Sequence, residues 1–388
     1  MTTSFTEPEE RQELRKQVFK LASKYGQDYF LKKARAGEKT TELWLELGKN
    51  GYLGVNIPEE YGGGGGGLGD VAAVLEEAAA AGCPLLLMVV SPAICGTVIT
   101  KYGTEEQKQR WLPGIADGTE TMAFAITEPD AGTNSHNIIT TARRDGDEWV
   151  LNGRKVFISG LDEAKNVLVI ARTEDAKTGK LKPCLFVVPT DAPGFSFTPI
   201  PMDFVSPEWQ FQVFIDDVRL PADALVGDED GGLVQLFAGL NPERVMAASF
   251  ATGLARFALT KATAYAKERA VFRDAPIGSH QAIAHPLAQA HIQVELARLM
   301  TQKAAALVDA GDDLGAGEAA NMAKYAAAEA SCFAVDTSVH TFGGNGLTQE
   351  YGMGALVAAS RVMRIAPVSK EMVLNFVAMH SLGLPKSY

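Results

Sequence analysis

The sequence predicts a multidomain α+β chain: an N-terminal helical domain, a middle β-barrel or sandwich domain and a C-terminal helical bundle. Residues 1–118 carry apolar and charged side chains at helical spacing, and residues 119–228 hold short alternating segments punctuated by Pro and Gly. Residues 229–388 return to a helical pattern that is rich in alanine. With 388 residues, 46% of them hydrophobic, the chain is long enough for two or three domains and a large buried core.

In the first region, residues 9–36 read as one helix opened by Pro8, 40–51 as a helix ending at glycine, and 70–81 as a third. Thr104 is an N-cap ahead of Glu105-Glu106. The unbroken glycine tract from Gly62 to Gly67 reads as a flexible connection, with close backbone approach to a ligand as the alternative. In the middle region, strands fall at 148–151, 155–158, 166–172, 183–188, 194–199 and 212–220. Asp145-Gly146-Asp147 and Asn152-Gly153 supply the positive φ angles of hairpin turns. Helices follow at 242–269, 281–310, 317–342, 354–365 and 369–382, and their alanine-rich faces suit close packing in a bundle.

Composition excludes several function classes. The net charge is -11 and no basic run stands out, which argues against nucleic-acid binding. Cys83, Cys95, Cys184 and Cys332 are scattered, as reduced thiols of a cytosolic protein are, rather than paired as disulfides or spaced as metal ligands. The six histidines show no ligand spacing, so no metal is expected. The charged N-terminus lacks the apolar run of a signal peptide, and no stretch reaches the roughly 18 uncharged apolar residues of a membrane span.

Chemistry concentrates between Phe124 and Gly160. A turn-rich loop, Thr127-Glu128-Pro129-Asp130-Ala131-Gly132-Thr133, precedes the strand that carries Phe157-Ile158-Ser159. Thr127, Thr133 and Ser159, with the free N–H groups of the loop, can hydrogen-bond a planar polar cofactor, and Phe124 and Phe157 can lie against its rings. This segment resembles the flavin-binding segment of the acyl-CoA dehydrogenases, a TEP-x-AG-[ST] loop followed by an NG-x-K-x-[WF]-I-[ST] strand. The resemblance covers nearly the whole chain. It includes Tyr52-Leu53-Gly54-Val55 leading to Pro58-Glu59-Glu60-Tyr61-Gly62, then Trp111-Leu112-Pro113 and Glu268-Arg269-Ala270-Val271-Phe272. Ile277-Gly278-Ser279-His280-Gln281 and Phe342-Gly343-Gly344-Asn345-Gly346 complete it.

The resemblance implies FAD held by an N-terminal helical domain, a middle β domain and a C-terminal four-helix bundle. Phe124, Ile126, Thr127, Gly132 and Thr133 match the flavin loop, and Phe157, Ile158 and Ser159 the flavin-facing strand. Arg269 and Phe272 match residues that reach the FAD diphosphate and adenine of a neighbouring subunit, with His280 and Gln281 in the same region. Gly343, Gly344 and Asn345 match the glycine turn near the cofactor, and Ser369 replaces a cofactor-binding threonine. Thr133, Asn241, Arg244 and Ala366 are the implied acyl-CoA contacts. A homotetramer and an electron-transfer flavoprotein as electron acceptor are implied as well.

The commonest base position of the family falls on Pro367, which can be neither a base nor an N–H donor to the thioester oxygen. Leu240-Asn241-Pro242-Glu243-Arg244 instead resembles the L-x-x-E-R motif of the isovaleryl-CoA and long-chain branches, which makes Glu243 the implied base and Arg244 its orienting partner. By sequence, Asn241 is an N-cap, Pro242 the first helical residue and Glu243 a first-turn glutamate, for which the other reading is a helix-dipole complement. Glu350 and Glu371 read as a structural and a solvated or packing residue. Ala366 replaces a bulky aromatic, which implies room for a branched, cyclic or otherwise wide acyl chain. The implied activity is dehydrogenation of an acyl-CoA to the trans-2-enoyl-CoA. A partner-dependent, non-catalytic subunit and a flavin oxidase are the alternatives.

Overall fold

The computed structural model describes residues 7–174, 178–179, 181–229, 231–272 and 274–386. Its N-terminal part is helical: α1 (Glu9–Ala22), α2 (Gly26–Ala36), α3 (Thr41–Lys49), α4 (Leu68–Ala80), a π-helical stretch (Val89–Gly96), α5 (Thr97–Tyr102) and α6 (Glu105–Asp117). The single helix expected over 9–36 is broken, because Gly26 takes φ +68 and turns the chain. Thr104 caps α6 as expected: its hydroxyl accepts from Gln107 N at 3.3 Å and the Gln107 side chain accepts from Thr104 N at 2.9 Å. The glycine tract is a packed turn instead of a flexible connection. Gly64, Gly65 and Gly66 donate their N–H groups to the carbonyls of Gly54, Ile57 and Val55 at 2.9, 2.9 and 2.7 Å. A Cβ on Gly63 would lie 2.0 Å from the Ile57 oxygen, so the close approach these glycines permit is to the chain's own backbone.

The middle part is one sheet: β1 (Thr121–Ala125), β2 (Thr141–Asp145), β3 (Glu148–Ser159), β4 (Ala164–Glu174), β5 (Leu181–Pro189), β6 (Phe195–Ile200), β7 (Gln210–Pro221) and β8 (Leu225–Val226). Its order is β6-β7-β3-β2-β4-β5-β8, with β1 parallel to β4, and β6 and β8 are the ends of an open path, so the expected barrel does not close. The sheet curls on itself, bringing Trp149 of β3 edge-on to Phe186 of β5 with ring centroids 5.1 Å apart. Alternation divides its faces. Val167, Val169, Cys184, Phe186 and Val188 form a core of the sheet's own, whereas Leu168, Ile170, Leu185 and Val187 join the helical core. Asp145-Gly146-Asp147 turns β2 into β3 as expected. Asn152-Gly153 does not turn. It lies inside β3 at a register shift, where a Cβ on Gly153 would strike the Thr140 hydroxyl at 2.3 Å and the Asn152 amide pairs with Asp217.

The C-terminal part is a bundle of α7 (Gly232–Glu268), α8 (Gln281–Asp309), α9 (Asp313–Phe342) and the shorter α10 (Ala355–Ile365). The hairpin β9 (Ala270–Phe272) and β10 (Ala275–Pro276) joins α7 to α8, and α11 (Lys370–Phe376) follows the bundle. Helix α7 begins at Gly232, ten residues before the expected start. A Cβ on Gly232 would lie 1.5 Å from the Pro183 carbonyl oxygen, so the helix starts pressed onto β5. Further along, a Cβ on Gly253 would lie 2.4 Å from the Glu76 carbonyl, which sets α7 against α4. Arg15, Arg256 and Arg298 converge on the buried Glu76 and so tie α1, α7 and α8 to α4. Burial alone would raise the Glu76 pKa, but the three guanidinium groups hold it below the usual range. The four cysteines are buried.

A second acidic cluster lies where the helical part meets the sheet. Glu208 is buried, with Leu87 N donating to it at 3.2 Å and the Ser206 hydroxyl at 3.0 Å. Glu163 and Asp162 face Lys39 at 3.6 and 2.7 Å. Burial pushes both Glu163 and Glu208 up to about 7, helped at Glu163 by the neighbouring Asp162 charge and at Glu208 by that of Glu163. A carboxyl raised in the folded state holds a proton that the unfolded chain has already released. Its contribution is full below the unfolded value of 4.5 and is lost as pH rises through 7. Lowered groups such as Glu76 act in the opposite sense, below that window. The urea midpoint of unfolding should therefore fall between pH 5 and pH 8, and Glu208→Gln should flatten the fall; a midpoint that rises over this range would contradict the assignment.

Candidate active site

The turn-rich loop is fixed by a buried ion pair that joins it to β3. Lys155 is fully buried and donates to Glu128 Oε1 at 2.9 Å and to the Ile126 carbonyl at 3.0 Å. The Glu128 carboxylate also accepts from Ile139 N at 2.6 Å and Thr140 N at 2.9 Å. Burial opposes its charge, yet Lys155 and the two N–H groups hold its pKa below the usual range. Burial brings Lys155 down to about 8. Val156 N donates to the Thr127 carbonyl at 2.9 Å and completes the seam. Phe124, Ile126 and Thr127 are thereby held beside Phe157, Ile158 and Ser159, as expected.

Within that seam the side chains divide. Phe124 packs into the helical core and Ile158 into the sheet core, so their backbones and not their side chains border the surface. Phe157 stands out: it takes φ 57 at a register shift of β3 and its ring is 56% exposed. A left-handed phenylalanine costs on the order of 1–3 kcal/mol, so the surrounding fold holds this ring out against a local strain. The Ser159 hydroxyl donates to Gln210 Oε1 at 3.0 Å. The hydroxyls of Thr127 and Thr133 and the N–H groups of Gly132 and Thr133 have no partner among the described residues.

A second group gathers at the far end of α7. Arg269 is exposed at its C-cap, and the Arg269 carbonyl accepts from Ile277 N at 2.7 Å. Phe272 is exposed and meets His280 edge-on at 6.4 Å, with Gln281 exposed next to it. Asn345 donates to the Tyr265 hydroxyl at 3.0 Å, one turn before Arg269. Gly343 takes φ 58, and a Cβ on Gly343 or Gly344 would meet nothing within 4 Å. Among the described residues, no hydrogen bond or ring contact joins this group to the loop at 124–133.

Glu243 lies on α7, but not where the sequence places it. Asn241 is not an N-cap and Pro242 is not a first helical residue. The helix runs from Gly232 through both, which puts Glu243 about three turns inside and removes the dipole reading. Val234 to Leu240 carry the helical pattern upstream, and Arg244 reaches back to donate to the Leu240 carbonyl at 2.7 Å. Glu243 is half-buried and has no hydrogen-bond or ion-pair partner among the described residues. Burial pushes its carboxyl up to about 7, against the opposing charges of Arg244 and Lys324. Arg244 Nε is buried without a partner, and burial lowers that guanidinium's pKa. Asn241 faces Gly317 of α9.

Across the bundle, Ala366 is exposed in the turn after α10, Pro367 follows it, and the Ser369 hydroxyl caps α11 by accepting from Met372 N at 3.4 Å. Glu350 is exposed, and Glu371 lies in the first turn of α11. Sequence reasoning quoted Lys155 only as the lysine of the flavin-strand motif without giving it a role, and missed Lys324. Each breaks an apolar pattern: Lys155 continues the buried alternation of Trp149 and Leu151, and Lys324 sits four residues from both Ala320 and Ala328 on a buried stripe.

The chain matches the profiles described as Acyl-CoA dehydrogenase, N-terminal domain over residues 8–119, middle domain over 123–218 and C-terminal domain over 230–382. It is 68% identical over 386 residues to acyl-CoA dehydrogenase FadE12 of Mycobacterium tuberculosis, covering 100% of this chain and 99% of that one. Among solved structures, butyryl-CoA dehydrogenase from Megasphaera elsdenii is similar with a TM-score of 0.91 at 28% identity, covering 98% of this chain and 100% of that one. A glutaryl-CoA dehydrogenase from Mycobacterium smegmatis in complex with FADH2 gives 0.89 at 27% identity, covering 98% and 96%.

Removing one partner of a buried pair leaves the other charge uncompensated, at a cost of about 3–5 kcal/mol. Lys155→Met should lower stability by about that much in urea titrations. A Glu128→Leu partner change in the same chain should recover only part of it, because Ile139 N and Thr140 N lose their acceptor. A Lys155→Met chain as stable as the native one would show that the pair does not hold the loop.

Proposed function

The chain belongs to the acyl-CoA dehydrogenase family, and from that premise we propose that it is an FAD-dependent enzyme that converts an acyl-CoA thioester to its trans-2-enoyl-CoA with Glu243 as the base. The observation that carries the reading is a carboxyl, unpartnered and half-buried in α7 beside Arg244, whose pKa of about 7 suits proton abstraction at neutral pH. Pro367 leaves no carboxylate at the commonest position of the family, so the base has to come from another helix.

The residues present fit FAD. Unpartnered donors at Thr127, Gly132 and Thr133, the displayed ring of Phe157 and the hydroxyl of Ser159 would hold a planar, polar ring system. Arg269, Phe272, His280 and Gln281, with the open glycines at 343–344, would take a diphosphate and an adenine. That no hydrogen bond or ring contact joins these two groups among the described residues supports a cofactor site completed by a neighbouring subunit of a homotetramer. Bound FAD supplies the acceptor for the hydride that leaves the β-carbon.

Glu243 takes the α-proton. Arg244, anchored on the Leu240 carbonyl, keeps a positive charge next to that carboxylate in one place. Thr133, Asn241, Arg244 and Ala366 would border the thioester and its acyl chain. The small Ala366 leaves room for a branched or bulky chain. The electrons would pass to an electron-transfer flavoprotein, in a cytosolic setting that suits the four reduced thiols.

Only the ionised carboxyl can accept the proton, so anaerobic flavin reduction by acyl-CoA should fall as pH drops below about 7. Glu243→Gln should slow it by about 10²–10⁴-fold while FAD and acyl-CoA binding persist. Stopped-flow bleaching at a near-native rate in that variant would rule Glu243 out. At the other wall, Ala366→Tyr should depress turnover of isovaleryl-CoA and cyclic thioesters more than that of butyryl-CoA. Equal losses across such a panel would show that position 366 does not set selectivity.

A further inference from the structure

Lys324 is a buried lysine of α9, 1% exposed, with no carboxylate within ion-pair distance among the described residues. Such a group is costly to bury unless the surroundings use its charge. Its ammonium donates to two backbone carbonyls, Arg364 at 3.4 Å and Val368 at closer range. These carbonyls lie on either side of Ala366 and Pro367. The first belongs to the last turn of α10, where carbonyls lack intrahelical partners and the helix end favours a cation. Pro367 has no N–H with which to tie the turn, so beyond the Arg364–Glu329 pair at the end of α10 it is Lys324 that holds the turn's backbone to α9.

We propose that Lys324 is a positioning residue of the dehydrogenation site: its ammonium clamps the turn carrying Ala366 and Pro367 and supplies the positive charge under which Glu243 works. This rests on the reading of Glu243 as base. The charged groups around Lys324 come from four elements: Glu243 and Arg244 on α7, Glu329 on α9, Arg364 on α10 and Glu371 on α11. Glu329 is bound by Arg364 and Glu371 is exposed, which leaves Glu243 as the unpaired acid that shares the interior with Lys324. Burial lowers the ammonium to about 8, and Arg244 pushes the same way, so Lys324 remains charged through the neutral range. One side chain thus couples the wall of the acyl site to the ionisation of the base.

The titration of Glu243 can be read without turnover, as the difference in unfolding midpoint against pH between a chain and its Glu243→Gln counterpart. Lys324→Gln should move that titration up by about one pH unit. It should also speed deuterium exchange of the amides at 364–369 about tenfold, as the loss of a charge-assisted hydrogen bond predicts. Lys324→Arg keeps the charge but not the fit to two carbonyls, so the titration should stay in place while exchange still rises; this variant decides the matter if Lys324→Gln does not fold. An unmoved titration in Lys324→Gln, a moved one in Lys324→Arg, or unchanged exchange in either would overturn the proposal. Retained flavin bleaching in Glu243→Gln would refute the base assignment alone, since the Lys324 measurements need no substrate.

Discussion

The architecture of the site depends on one buried ion pair. A loop with unpartnered donors would ordinarily wander, and a loop bonded to itself would have no donors to offer. Glu128 and Lys155 resolve this conflict. The carboxylate spends its lone pairs on Ile139 N, Thr140 N and the ammonium, and the ammonium spends a second proton on the Ile126 carbonyl. The loop is anchored at its start and its end, while Gly132 and Thr133 between them keep their N–H groups free. The register shift that displays Phe157 lies just past Lys155, so the same strand both holds the loop and offers the ring.

The second organising element is α7. It starts against β5 at Gly232, crosses α4 at Gly253 and ends at the Arg269 group, touching all three parts of the chain. Glu243, the base we propose, is carried on a rigid element that two domains brace, where small displacements are resisted. The arginines converging on Glu76 hold α4 and α8 to the same helix, so Glu243 is referenced to the helical core rather than to a surface loop.

Much of this was legible in the residues. Period-two alternation gave most of the strands, and alanine-rich helical spacing gave the bundle, because both follow from the division between buried and exposed faces. The misses share a cause. Asn152-Gly153 carries a turn signal, yet what it answers is the nearness of Thr140, a neighbour that no local pattern reveals. The glycine tract likewise answers to residues 54–57, and Gly232 to Pro183. Pro242 looked like a helix start because proline is excluded from helix interiors on average; here the preceding residues continue the helix and packing overrides the preference. The site loop and strand were readable as a pair, Lys155 among them, whereas its ion pair with Glu128 and the placement of Lys324 appear only as breaks in apolar stripes.

With Glu243 as the base we propose, Pro367 accounts for the charge distributed around it. A residue at that turn has three things to offer a thioester: a side-chain base, an N–H for the oxygen, and bulk at the acyl wall. Proline offers neither of the first two, and Ala366 beside it offers little of the third. The burden passes across the bundle to α7 and α9. A carboxylate moved into a helix interior loses water and would be neutral at physiological pH if left alone. Arg244 and Lys324 oppose that tendency without forming a direct pair with it, which would drop its basicity too far. A Glu243 carboxyl poised near neutrality follows from burial set against two cations held at a distance, one on the Leu240 carbonyl and the other on the carbonyls that flank the proline.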